Sequence, residues 1–313
     1  MTGPGVVLGV DGGGTTTDVV VADLTGAVRA SVTTGGTNHE SIGIARMTEV
    51  LAAVVDEALD VAGATRADVR VSAFGLAGVD WPSDVVLVDD ALSGLRLGGR
   101  RVVVNDSRAA LRAGCSQRWG IVSSIGTGSV TAGVNREGAW FRTMAVGWGE
   151  PRGSGTLVAE ALHAIAAQHH GTAPATALTD RFLDASGQPD VPAMFESITR
   201  GRSDGLRGHA PVVVEVAAGG DEVARSIVAD VAARHAAMVI GVASRLGMTD
   251  DEFELVTSGG VHAGGGRFSE AFASAVVVGC PKATIVPLTT TPALGAISLA
   301  LDELASDSGD RPR

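Results

Sequence analysis

Residues 6–18 read Val6-Val7-Leu8-Gly9-Val10-Asp11-Gly12-Gly13-Gly14-Thr15-Thr16-Thr17-Asp18. The β-branched run at 6–10 reads as a strand that three glycines break just after a carboxylate. Residues 18–24 (DVVVADL) resume as a second strand, and a Thr25-Gly26 turn leads to a third at 27–33. Three strands joined by tight turns imply an antiparallel opening to a sheet. A dinucleotide-binding fingerprint is excluded, because it needs a helix after the glycines and residues 15–24 are β-branched. Glycines beside Asp11 let the backbone approach a phosphate, with amides and threonine hydroxyls as donors; a plain glycine hairpin is the alternative.

Outward from this stretch, apolar spacing predicts a helix at 42–61, a strand at 69–74, a helix at 83–92 behind Pro82, a strand at 101–104 and a helix at 107–113. The opening pattern then starts again. A strand at 120–125 is broken by Gly126-Thr127-Gly128, and strands at 130–134 and 139–145 follow. The repetition suggests an internal duplication. Helices are expected at 156–169, 177–184, 191–199, 222–246, 268–277 and 292–304, with strands at 253–257 and 284–286. Residues 306–313 are polar and expected to fray. The reading is an α/β fold of two similar domains, 1–115 and 116–290, each a mixed five-stranded sheet with flanking helices, around a central cleft. The helix near 291–304 would pack back on the first domain.

Composition narrows the function. The chain has 313 residues, 43 of them glycine, and a formal charge of 24 − 35 = −11. Without a Gly-X-Y period, collagen is excluded, and glycines set within apolar segments argue against disorder. Aromatics make up 4 % with no tyrosine, and no basic face is evident, so no nucleic-acid partner is expected. Lys282 is the sole lysine and lies in Cys280-Pro281-Lys282-Ala283, which fits neither a Walker loop nor a protein-kinase strand. Phosphate would therefore be held by amides, arginine and metal. Cys115 and Cys280 form no CxxC and read as buried small hydrophobes. No leader pattern and no uninterrupted apolar run near 18 residues is seen, so no membrane partner and a cytoplasmic location are expected.

Three further turns carry candidate chemistry. Asp106, in Val104-Asn105-Asp106-Ser107, ends a strand at or beside a helix N-cap. It is either a cap or a carboxylate at the strand edge where open α/β sheets bind ligands. Ile125-Gly126-Thr127-Gly128-Ser129 mirrors the first glycine turn, and Ser258-Gly259-Gly260 ends another strand. Asp80 reads as a turn carboxylate, Asp89-Asp90 as a solvated face, and His169-His170 as a helix end favouring positive charge. His39 and His262 sit beside proposed binding turns.

The order DGGGTTTD, NDSRAAL, IGTGS, GWG, SGGV resembles the N-acetylglucosamine kinases, within the BadF/BadG/BcrA/BcrD-type ATPases of the sugar kinase/heat-shock chaperone/actin superfamily. The resemblance runs from Val6 to about Leu301 and implies ribonuclease H-like domains of actin or hexokinase type. It implies ATP and Mg²⁺ as cofactors and a small sugar as substrate, with a homodimer as a common assembly. Gly12, Gly13, Gly14 and Thr15 would form one phosphate loop and Gly126, Thr127 and Gly128 the other. Ser258, Gly259 and Gly260 would border adenosine, and Asp11 would hold Mg²⁺ through water. Asp106 would be the general base, with Asn38, His39, Gly147, Trp148, Gly149 and Glu150 near the sugar, N-acetylglucosamine at its 6-hydroxyl. An ATPase activator or a catalytically silent sugar-binding member is the alternative. One departure stands out: the family continues from Gly-Trp-Gly to Gly-Asp-Glu-Gly-Ser-Gly, whereas here Gly149 runs into Glu150-Pro151-Arg152-Gly153-Ser154-Gly155.

Overall fold

The structure, a computed structural model, describes residues 5–202, 206 and 208–307. Most of the polar tail at 306–313 lies outside the described residues. The chain divides into two compact units, 1–120 with 288–313, and 121–287.

In the first unit, the strands are β1 (Val6–Gly12), β2 (Thr16–Asp23), β3 (Val28–Gly35), β4 (Val69–Leu76) and β5 (Arg100–Asn105). Its helices are α1 (His39–Ile42), α2 (Ile44–Val61), α3 (Pro82–Ser93) and α4 (Asp106–Gly114). The sheet order is β3-β2-β1-β4-β5. The first three strands are antiparallel neighbours, while β1, β4 and β5 run parallel. β1 is buried on both faces, in keeping with its Val/Leu-rich run at 6–10. Val6, Leu8 and Val10 pack with α2, whose Met47, Leu51, Val54, Val55, Ala58 and Leu59 recur at helical spacing. Arg101 Nε reaches Asp89 Oδ1 at 2.6 Å, so that carboxylate is paired across α3 and β5 and is not merely solvated.

In the second unit, the elements are β6 (Gly120–Ile125), β7 (Ser129–Val134), β8 (Trp140–Arg142), α5 (Ser154–His169), α6 (Leu178–Ser186), α7 (Val191–Thr199), α8 (Ala210–Ala218), α9 (Glu222–Arg245), β9 (Glu254–Ser258), α10 (Gly260–Ala263), α11 (Gly266–Gly279) and β10 (Thr284–Pro287). The order β8-β7-β6-β9-β10 repeats that of the first sheet strand for strand. The duplication read from the two glycine turns is thus a duplication of topology. Two corrections apply. The strand expected at 139–145 is only three residues long, and α8 lies where no helix was expected. α9 has the length and hydropathy of a membrane span, yet Val228, Val231, Ala232, Ala236 and Val239 bury it in this unit's core.

The last helix, α12 (Pro292–Asp307), returns to the first unit and packs on the other face of its sheet, against Val7, Val71, Ala73 and Ala109. The approach is close enough to demand glycine. A Cβ on Gly9 would stand 2.6 Å from Ile297 N, and one on Gly295 would stand 2.7 Å from Ala113 N. Asp302 then receives Arg112 at 2.8 Å and Arg118 at 2.9 Å.

Candidate active site

The carboxyl ends of β1, β4 and β5 lie level: Gly12 pairs with Leu76, and Leu76 with Asn105. Asp11 is therefore one residue from the edge of the first sheet, opposite Asp18 across the hairpin. The hairpin closes through Gly13 N donating to Thr16 O at 2.9 Å, leaving Gly14 and Thr15 exposed. Thr37 N donates to Gly13 O at 2.9 Å, and the buried hydroxyls of Thr17 and Thr37 meet at 2.8 Å. These contacts fix the turn from behind and leave its outer rim open. Burial, then the negative charges of Asp106 and Asp18, push the Asp11 carboxyl up to about 7. Asp106 is thus close enough to Asp11 for the two charges to repel.

Asp106 does not end the strand, as the sequence suggested. β5 stops at Asn105, which is the N-cap of α4, and Asp106 is the first helical residue. Its Oδ1 accepts from Ser107 N at 2.8 Å. A carboxylate there faces the positive end of a helix. Asp80, on the turn after β4, accepts from Asn105 Nδ2 at 2.9 Å through Oδ1. Asn38 caps the short α1, its Oδ1 accepting from Glu40 N at 2.8 Å, so the cap uses the oxygen end of its amide. His39 Nδ1 is buried without a hydrogen-bond partner. Gly78, at φ +85°, stands so close that a Cβ would lie 2.6 Å from Asn38 Oδ1 and 3.2 Å from the His39 ring.

In the second unit, Gly126–Gly128 occupies the place in its sheet that Gly12–Gly14 has in the first. Gly126 N donates to Gly128 O at 2.9 Å, and Thr127 and Gly128 are exposed. The departing loop braces this turn. Ser154 N donates to Gly126 O at 2.8 Å, Ser129 Oγ donates to Pro151 O at 2.6 Å, and Gly153 N donates back to Ser129 Oγ at 3.1 Å. The segment that departs from the family pattern therefore supports the second glycine turn through its own backbone. Glu150 Oε1 accepts from Val146 N at 2.7 Å and from Gly147 N at 3.1 Å, tying the loop that carries Trp148, 76 % exposed, to itself.

Ser258 ends β9 level with Ser124 of β6, and Gly259 turns the chain into α10 at φ +89°. A cavity of about 460 Å³ opens here. Its lining includes Gly126 and Thr127 of the second glycine turn, Gly260 and Val261 of α10, and Pro211 and Val214 of α8. The contribution of α8 was not seen in the sequence. Its signal was Pro211 in the first turn ahead of the run Val212-Val213-Val214, a proline position that starts helices as readily as it breaks them. Behind the cavity, His262 Nε2 lies 3.2 Å from Ser123 Oγ, its ring edge-on to Phe272 at 4.8 Å between centroids.

Among the described residues, no group of three or more His, Cys, Asp or Glu side chains forms a metal cage. The crowded Asp11 carboxyl suits a different kind of cation, one that keeps most of its own waters, as Mg²⁺ does. Cys115 and Cys280 are both buried.

Comparison with known proteins places this geometry. An N-acetylmuramic acid/N-acetylglucosamine kinase of Clostridium acetobutylicum is 28 % identical over 303 residues, covering 95 % of this chain and 98 % of its own. An N-acetyl-D-glucosamine kinase of Dictyostelium discoideum is 28 % identical over 316 residues, again with 95 % and 98 % covered. A Chromobacterium violaceum structure, provisionally described as an N-acetylglucosamine kinase, superposes at TM-score 0.69 with 23 % identity, covering 95 % of this chain and 98 % of that one. A ROK family glucokinase from Streptomyces griseus, in complex with glucose and AMPPNP, superposes at TM-score 0.58 with 19 % identity, over 95 % and 100 % of the two chains. The structural likenesses show the fold, the actin-like ATPase fold of the sugar kinases. Because the family's sequence model matches residues 8–300, the chain belongs to the BadF/BadG/BcrA/BcrD ATPase family.

Proposed function

We propose that this chain is an ATP-dependent kinase of an amino sugar, with N-acetylglucosamine the first candidate and its 6-hydroxyl the acceptor. The observation that carries the reading is the edge of the first sheet, where an exposed glycine turn, Asp11 and the helix-borne Asp106 come together. Two relatives at 28 % identity across nearly the whole chain, both named as amino-sugar kinases, support the choice of substrate.

Phosphoryl transfer depends on positioning and charge stabilisation. Gly14 and Thr15, the exposed residues of the first turn, offer amides and a hydroxyl to phosphate oxygens in the first unit. In the second unit, Thr127 and Gly128 do the same, and the cavity lined by Gly260 and Val261 takes the nucleoside. Mg²⁺ bound with the nucleotide would supply charge neutralisation at the transferring phosphoryl group, and Asp11, whose carboxyl Asp106 and Asp18 crowd, would hold it. Asp106 orients the acceptor hydroxyl and takes its proton. Asn38 Nδ2 and His39 Nδ1, in the first unit, read the sugar's polar groups.

A coupled assay for ADP over a panel of hexoses and amino sugars tests the reading. N-acetylglucosamine should give the highest kcat/KM. Asp106→Asn should lower kcat at least about 100-fold while ATP still binds. Sugar-independent ATP hydrolysis, or ATP binding with no turnover on any sugar, would overturn it.

A further inference from the structure

We propose that Asp80 is a positioning residue for Asp106, acting through the carboxamide of Asn105; this rests on Asp106 being the base. Asn105 is 8 % exposed and has two jobs that need opposite ends of its amide. Its Oδ1 accepts from Ser107 N at 3.1 Å and from the Ser107 hydroxyl, capping α4. Its Nδ2 donates to Asp80 Oδ1 at 2.9 Å. A carboxamide can sit either way round in such a site, but only one way caps the helix.

An ionised carboxylate has no proton to give, so Asp80 accepts Nδ2 and rejects Oδ1. It thereby selects the amide orientation that caps α4. Asp106 is the first residue of that helix, and its place follows from the cap. Asp80 is itself fixed. Asp84 Oδ2, in the first turn of α3, accepts from Asp80 N at 3.0 Å and from Trp81 N at 2.8 Å. The chain of contacts runs from the start of α3 through Asp80 and Asn105 to the start of α4. It links two strand ends of one sheet, and its last member carries the reacting carboxylate. A displacement of about 1 Å at a reacting group is enough to cost roughly 100-fold in rate.

The test is a double-mutant cycle on the full chain, read as kcat and KM for sugar and ATP, with melting temperatures. Asp80→Ala should lower kcat about 10-fold or more with KM for ATP unchanged. Asp80→Asn should recover most of that loss, because its own carbonyl can still accept Nδ2. Asn105→Ala should fall to a similar level, and Asp80→Ala added to it should cost nothing further. Additive losses, wild-type turnover in Asp80→Ala, or a change confined to sugar KM would overturn the proposal. Should Asp80→Ala be unfolded at the assay temperature, the same cycle with Asp80→Leu, which removes the acceptor at similar volume, replaces it, and additivity there overturns the proposal equally. Asp106→Asn is the separate arm. If it keeps full rate, the base assignment has failed, whatever the cycle shows; if it is inactive and the cycle is additive, only the positioning role has failed.

Discussion

Gly78 shows how one residue can serve a site without any functional group. It follows β4 at φ +85°, a conformation that costs an L-residue about 1–2 kcal/mol. A methyl there would also meet Asn38 Oδ1 at 2.6 Å, the atom that caps α1, and His39 at 3.2 Å. Gly78→Ala should therefore move Asn38 and His39 as well as strain the turn. The expected outcome is a melting temperature lower by several degrees, at about 2–4 °C per kcal/mol for a domain of this size. Sugar KM should rise while ATP KM stays near its wild-type value. Equal changes in both constants would show that the turn supports only the fold. The contact was not legible in Gly75-Leu76-Ala77-Gly78-Val79-Asp80, because it is made with Asn38 and His39, far earlier in the chain. Asp106 was legible as a candidate because strand-end carboxylates are conspicuous, but its exact post, first in the helix rather than last in the strand, needed the cap to be seen.

At the scale of elements, the strands announced themselves and several of their supports did not. β1 and β6 stop at glycines and β2 is a β-branched run closed by a turn, and their boundaries were readable to within about two residues. α8 was hidden by its proline, and the brace beneath Gly126–Gly128 was hidden because its bonds, through backbone groups and the Ser129 hydroxyl, reach residues 151–154 further along the chain. That brace makes a sharp prediction. Gly153 sits at φ 54°, ψ −145°, a region essentially restricted to glycine. A Cβ would stand 2.7 Å from Gly126 O, a backbone atom that a side-chain rotation cannot clear. Gly153→Ala should shift the whole turn and raise ATP KM about 10-fold or more, with sugar KM little changed. Isothermal titration with ATP or a non-hydrolysable analogue reads the same loss without turnover. Unaltered nucleotide affinity would mean that the turn is not a phosphate loop. The glycine surplus is thus explained partly by turns such as these, and partly by close packing at Gly9 and Gly295, which composition alone did not distinguish.

For the whole molecule, stability against pH is set by buried groups of opposite sign in the two units. In the second unit, burial holds His262 and His235 at about 4, with His262 and Arg234 adding to the effect on His235. His235 is 2 % exposed and its Nε2 has no partner, so it folds neutral. Above about pH 6.5 both histidines are neutral folded or unfolded, and they contribute no slope. Between about 6.5 and 4 the unfolded chain takes up protons that the folded chain refuses, so stability falls as pH falls. A shift of that size corresponds to something on the order of 3 kcal/mol for one histidine, less than double for two that repel each other. Asp11, in the first unit, acts the other way: its raised carboxyl takes a proton more readily folded than unfolded, which favours the folded state as pH drops through the same window. The wild-type curve therefore mixes both, and the informative quantity is a difference. His235→Leu removes one titrating group at nearly constant volume. Urea unfolding should show the variant gaining stability relative to wild type as pH is lowered from 6.5 to 4, with a constant difference between 6.5 and 8. A difference that stays flat across the whole range would mean that His235 protonates as easily in the folded protein as out of it, and that the packing of α9 against Phe268 leaves room for a charge.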